Sequence, residues 1–192
     1  MDEAAKPAEK PVETIKPQLG ETVRIVIKDI EQLFNSLDPS PFIEKDLDDD
    51  AAEYITSYFS EYSLKKKVKI LIQIPKIQKD KFKEDEIKDA IRNYFSYQKT
   101  LEENNIEVKI KEGQQFMIIG LSFLTVCLLA REYFLSLETN IVWNMLAEAF
   151  QIFGWVAMWK PISNLLYDWW PMKQKQNIYD KISKSEIDFI YT

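Results

Sequence analysis

Residues 116–137 read FMIIGLSFLTVCLLAREYFLSL, a run of 22 residues with no charge before Arg131. At 1.5 Å of rise per residue, about 20 apolar residues cross the hydrocarbon core of a bilayer. The run therefore predicts a transmembrane helix with Arg131 and Glu132 near its far end. A buried helix of a soluble protein is the competing reading, and it needs apolar mass around it. Residues 1–115 carry 19 Lys or Arg and 24 Asp or Glu, and offer too little.

A second span is predicted over residues 141–159, IVWNMLAEAFQIFGWVAMW. Asn144, Glu148 and Gln151 stand at i, i+4 and i+7, which puts three polar groups along one helical face. Such a stripe is expensive against lipid and calls for another helix or a water-filled space. Ala147, Ala149, Gly154 and Ala157 allow a close helix approach. Five residues, 136–140, separate the spans, so they form an antiparallel hairpin. That connection holds no Lys or Arg. Lys109 and Lys111 precede the first span, and Lys160, Lys173, Lys175, Lys181 and Lys184 follow the second, which places both termini in the cytoplasm. Arg131 is the dissenting charge.

Beyond the second span the chain reads KPISNLLYDWWP. Trp155, Trp159, Lys160, Trp169 and Trp170 have the character of interfacial anchors, with indoles at headgroup depth and a lysine that snorkels. Pro161 is expected to end the span. Residues 161–171 then predict an amphipathic helix on the membrane surface, with Leu165, Leu166, Trp169 and Trp170 towards lipid and Pro171 as its stop. Tyr167 and Asp168 form a candidate docking patch for partners.

Working back to the N-terminus, residues 1–20 are rich in Lys, Pro, Glu and Ala and predict a disordered tail; they lack the apolar core of a signal peptide. Residues 22–28, TVRIVIK, predict a strand. Asp38-Pro39-Ser40-Pro41 predicts a turn, and the acids at 46–50 cap a helix over about 48–62. A second strand is expected over 67–74, closed by Pro75, and a further helix from about 83. Residues 21–112 thus form a small cytoplasmic domain of α/β (or α+β) class. Residues 106–111 alternate like a strand but also fit helical spacing, and the helical reading, running into the membrane, is preferred. Two strands make a poor sheet. Residues 172–192 form a cytoplasmic tail whose segment 186–191, EIDFIY, can return and add a strand to that domain.

The net charge of −6 and pI of about 4.9 argue against a nucleic-acid partner. The run Lys65-Lys66-Lys67-Val68-Lys69 fits solvated lysines at a strand entrance better than a lipid or nucleic-acid contact. There is no histidine, so the commonest general base and metal ligand are missing. Asp46 to Asp50 open like a calcium loop, but Ala51 stands where the turn needs Gly and Ser57 where a bidentate Glu is needed. Four glycines without useful spacing make no phosphate loop. Cys127, inside an apolar run, reads as a small hydrophobe. No catalytic, cofactor-binding or metal residue is expected, and the chain is not expected to be an enzyme.

LFNSLDPSPF (33–42), IRNYFSY (91–97) and GWVAMWKPISNLLYDWWP (154–171) resemble a family of bacterial two-span inner-membrane proteins of no assigned activity, with a small cytoplasmic region before the spans. The resemblance covers residues 22 to about 190. It implies a multi-pass protein of the bacterial cytoplasmic membrane and carries no catalytic residue across. The reading that follows is a non-enzymatic scaffold or interaction subunit in contact with lipid and with a second copy or a membrane-protein partner. The alternative is a subunit of a small oligomeric ion channel or transporter, with Asn144, Glu148 and Gln151 lining the path.

Overall fold

A computed structural model of the chain describes residues 22–41, 43–137 and 140–192. The expected tail, 1–20, and part of the connection between the spans lie outside the described residues. In chain order the elements are β1 (Thr22–Val26), α1 (Asp49–Ser60), β2 (Lys69–Ile74), α2 (Glu84–Ser136), α3 (Ile141–Leu166), α4 (Trp170–Ser183) and β3 (Glu186–Tyr191). Short 3-10 turns at Ile30–Leu33 and Lys76–Lys81 join them.

The three strands form one parallel sheet in the order β1-β2-β3. Alternation along each strand sends Val23, Ile25, Ile70, Ile72, Ile74 and Ile187 to one face, where they are buried against α1, α2 and α4. Ile55 and Phe59 of α1, Ile87, Ile91 and Phe95 of α2, and Ile182 of α4 supply the other half of this core. The opposite face carries three cross-strand rows: Thr22, Lys69 and Glu186; Arg24, Leu71 and Asp188; Val26, Gln73 and Ile190. None of these nine residues is buried. Asp48 caps α1 by accepting from the Asp50 amide at 3.1 Å, the role expected of the acidic run. In the Asp38-Pro39-Ser40-Pro41 turn, Asp38 accepts from the amides of Asp46 at 2.7 Å and Ser40 at 2.9 Å, and these bonds, the Asp46 amide foremost, hold its carboxyl below the usual carboxylate range.

Helix α2 runs unbroken for 53 residues, about 80 Å at 1.5 Å per residue. Its first turns cover the sheet and its last turns form the first apolar run, so residues 106–111 are helix. Ion pairs at helical spacing, Lys111 with Glu107 at 3.5 Å and Lys109 with Glu112 at 3.2 Å, fit that state. Helices α2 and α3 are each long and apolar enough to cross a membrane, and only 17% of either apolar window is buried within the chain.

The two helices form an antiparallel pair with small residues along the seam. Gly113, Gly120 and Cys127 recur every seven residues on α2, and Ala147, Gly154 and Pro161 do so on α3; all six are buried. A Cβ built on Gly154 meets Leu124 Cδ1 at 2.7 Å and Cys127 Cβ at 3.1 Å, so this close approach favours glycine. At the far end Phe134 stacks against Trp143 and Phe150, with centroids 5.7 and 5.4 Å away.

The expectations for residues 160–171 are corrected. Residues 161–171 do not form a surface helix of their own. The chain stays helical through Lys160 and Pro161 to Leu166, turns over 167–169, and starts α4 at Trp170. A proline inside a helix removes one hydrogen bond and crowds the preceding turn. Here its ring is buried over Gly120, where a Cβ would meet Pro161 Cγ at 3.2 Å, and that packing favours the continuous helix. Pro171 likewise does not stop a helix; it occupies the first turn of α4, where no amide donor is needed. Within the tail expected over 172–192, residues through Ser183 belong to α4 and 186–191 form β3. Helix α4 lies back along α2, with Gln176 Nε2 donating to Glu103 at 2.6 Å, Lys99 paired with Asp180 at 3.0 Å, and Tyr179 against Phe95 at 6.0 Å.

Candidate functional site

The polar stripe of α3 is divided by the seam. Asn144 and Glu148 are exposed on the outer surface of the hairpin, whereas Gln151 turns inward and its Oε1 accepts from Arg131 Nε at 2.9 Å. Arg131 also pairs with Glu132. The charge that dissented from the loop pattern is therefore neutralised and bonded at the distal end of the hairpin. Three groups that share a helical stripe do not share an environment, because the small residues on α3 choose which side meets α2.

The anchors separate in the same way. Trp155, Trp159 and Trp170 are exposed on the outside. Trp169 is half-buried, donating from Nε1 to the Leu165 carbonyl at 3.0 Å. Asp168 closes the turn between α3 and α4: Lys160 Nζ lies 3.1 Å from Oδ2, Ser163 Oγ donates to Oδ1 at 3.1 Å, and the Tyr167 and Asp168 amides bond the Ser163 carbonyl. The lysine beside it, foremost, holds the Asp168 carboxyl below its ordinary range. Of the candidate docking pair, Tyr167 presents its ring to the outside and Asp168 is engaged within the turn.

Three further features stand out, of which only the lysine run at 65–69 is marked in the sequence. Asn164 is 1% exposed in the seam, and neither of its amide atoms has a partner. A groove of about 650 Å³ joins Lys65, Lys66, Lys67 and Lys69 to Lys181 and Lys184 at the N-terminal edge of the sheet. Three of these lysines are bonded within the fold, Lys69 to Glu186, Lys181 to the Ser63 carbonyl and Lys184 to Asp180. The groove stands level with Lys99 of α2, about 25 Å of helix from Phe116. The third feature is the open sheet face with Arg24, Leu71 and Asp188 in its middle row. Its members come from three separate segments, with 47 residues between Arg24 and Leu71 and 117 between Leu71 and Asp188, so no local pattern shows them together.

Among the described residues, no cluster of three or more His, Cys, Asp or Glu side chains is placed to hold a metal ion. Compared with protein-family models, curated proteins and solved structures, the chain matches none. The candidate site is thus defined by its own geometry: a polar, aromatic outer surface on the hairpin and an open sheet face on the head, the domain formed by the sheet, α1, α4 and the first turns of α2.

Proposed function

We propose that the chain is a non-enzymatic interaction protein of the bacterial cytoplasmic membrane, in which the α2–α3 hairpin anchors a head that docks partners on the cytoplasmic side. The observation that carries this reading is the continuity of α2, a single helix that belongs both to the sheet core and to the apolar hairpin. A helix shared in this way, with α4 laid along it, transmits the position of the membrane anchor to the head. Placement of both termini in the cytoplasm is supported by lysines on either side of the spans and none between them. The LFNSLDPSPF and LYDWWP runs support a bacterial setting by resemblance. The lack of histidine favours interaction over catalysis.

The exposed Asn144 and Glu148 suit a helix of a second membrane-embedded chain, since polar groups facing lipid are costly until partnered. A conducting path would need the stripe to act as one, and the bond between Gln151 and Arg131 draws one of its three groups away. The test uses the full chain in lipid vesicles. Glu148→Gln is expected to alter assembly, read as cross-linked complexes, with no ion flux from either form. A proton or cation flux that Glu148→Gln abolishes would overturn the interaction reading in favour of transport.

A further inference from the structure

The open face of the head's sheet identifies a specific partner. Parallel sheets are nearly always covered on both faces, and among the described residues α1, α2 and α4 all pack on one side. We infer that the second face is covered by a second copy of this chain, related by a two-fold axis parallel to the strands. The inference deepens the interaction reading and rests on it.

Geometry selects the axis. Helix α2 enters at the C-terminal edge of the strands, where Glu84 accepts from the Tyr191 hydroxyl, and it leaves past the N-terminal edge towards the hairpin. The strands therefore run roughly along the membrane normal. A two-fold axis perpendicular to the sheet joins edges and leaves the face bare. An in-plane axis across the strands covers the face but sends the two hairpins in opposite directions. Only the axis along the strands covers the face and keeps both hairpins in one bilayer.

Under that operation β1 of one copy lies over β3 of the other, at the same height along the strands. Arg24 then faces Asp188 of the second copy, twice by symmetry, and Val26 faces Ile190. Leu71, in the central strand, sits on the axis and meets itself. Among the described residues neither Arg24 nor Asp188 has an ion-pair partner within the chain, and Val26 and Ile190 are 67% and 41% exposed. Lys69 also meets its own copy, each already neutralised by Glu186 on the neighbouring strand. The pattern is self-complementary in charge and in apolar content.

The size of the face determines where it acts. Three strands about 4.8 Å apart, of five, six and six residues, present about 270 Å² per copy, against about 800 Å² per partner in a stable soluble complex. The heads therefore pair only when their hairpins confine them to one membrane, which raises the effective concentration.

The test is cross-linking of the full chain in its membrane. Leu71→Cys in a Cys127→Ser background brings two thiols together across sheets about 10 Å apart, within reach of a short bismaleimide. A homodimer band is expected, with none from Ser57→Cys on the covering helix α1. Arg24→Asp and Asp188→Arg are each expected to lower the yield about tenfold, and the two together to restore it. Cross-linking at position 71 no better than at 57, or a double reversal that restores nothing, overturns the two-fold contact. A product with a polypeptide of different mass also overturns it, while leaving the interaction reading intact. The flux that would sink that reading is measured separately.

Discussion

Asn164 and Gln151 lie in the same helix and face the same neighbour, yet their amides are in opposite situations. Gln151 accepts from Arg131, whereas Asn164 is buried beside Gly113 with nothing to bond. An amide without a partner costs about 1–3 kcal/mol on burial. Asn164→Leu, close to it in volume, is expected to stabilise the hairpin by about 1–2 kcal/mol, seen as a higher thermal midpoint in detergent. Gln151→Leu is expected to lower the midpoint, because it leaves Arg131 without its acceptor. A lower midpoint for Asn164→Leu would mean that its amide is satisfied. Helical spacing made the Asn144, Glu148 and Gln151 stripe legible in the sequence. Which edge of that stripe turned inward was not, because Gly113, Gly120 and Cys127 on the other helix set the line of closest approach.

For the helices, the instructive pair is α3 and α4. Proline and lysine at 160–161 read as an exit, since a proline's neighbours usually leave the helix, and the local rule failed where Gly120 left room for the ring. What looked like a surface helix and a tail became the end of one helix and the whole of another. Helix α4 is held to α2 and to its own last turn partly through Asp180, about a third exposed between Lys99 and Lys184. Lys184, then Lys99, hold its carboxyl below the ordinary value. A carboxyl with a lowered folded pKa contributes stability above its unfolded value, about 3.9, and loses it as pH falls through the folded value. The head is therefore expected to loosen on acidification below about pH 4, with Asp180→Asn removing this component of the pH dependence. At neutral pH the same change is expected to cost no more than about 1 kcal/mol, given the exposure of the pair. Thermal midpoints of the two forms across that range check both statements. Equal acid sensitivity would remove Asp180 from the account.

Considered whole, the head is built from both ends of the chain. β3 returns after the hairpin, pairs with β2 along its full length and buries Ile187 to 2% exposure. Ile187→Ala is expected to cost about 2–5 kcal/mol, a large part of what a small domain has. Its consequence is selective: the head should become protease-sensitive in isolated membranes while the hairpin stays inserted. A head as resistant as the unaltered one would show that β3 is dispensable.

Three strands, the long helices and the thin-walled hairpin follow from local patterns: alternation in TVRIV, KILIQI and EIDFIY, long apolar runs, and small residues at helical spacing. These depend on how one segment partitions between water and an apolar phase, which composition and period report directly. The continuous α3 through Pro161, the inward turn of Gln151, the meeting of the two lysine groups and the bare sheet face depend instead on atoms brought together from distant segments. Gly120 makes room for Pro161, and Glu186 comes beside Lys69, only once the chain has closed on itself; that closure, a property of the tertiary structure, decided what the head presents to a partner.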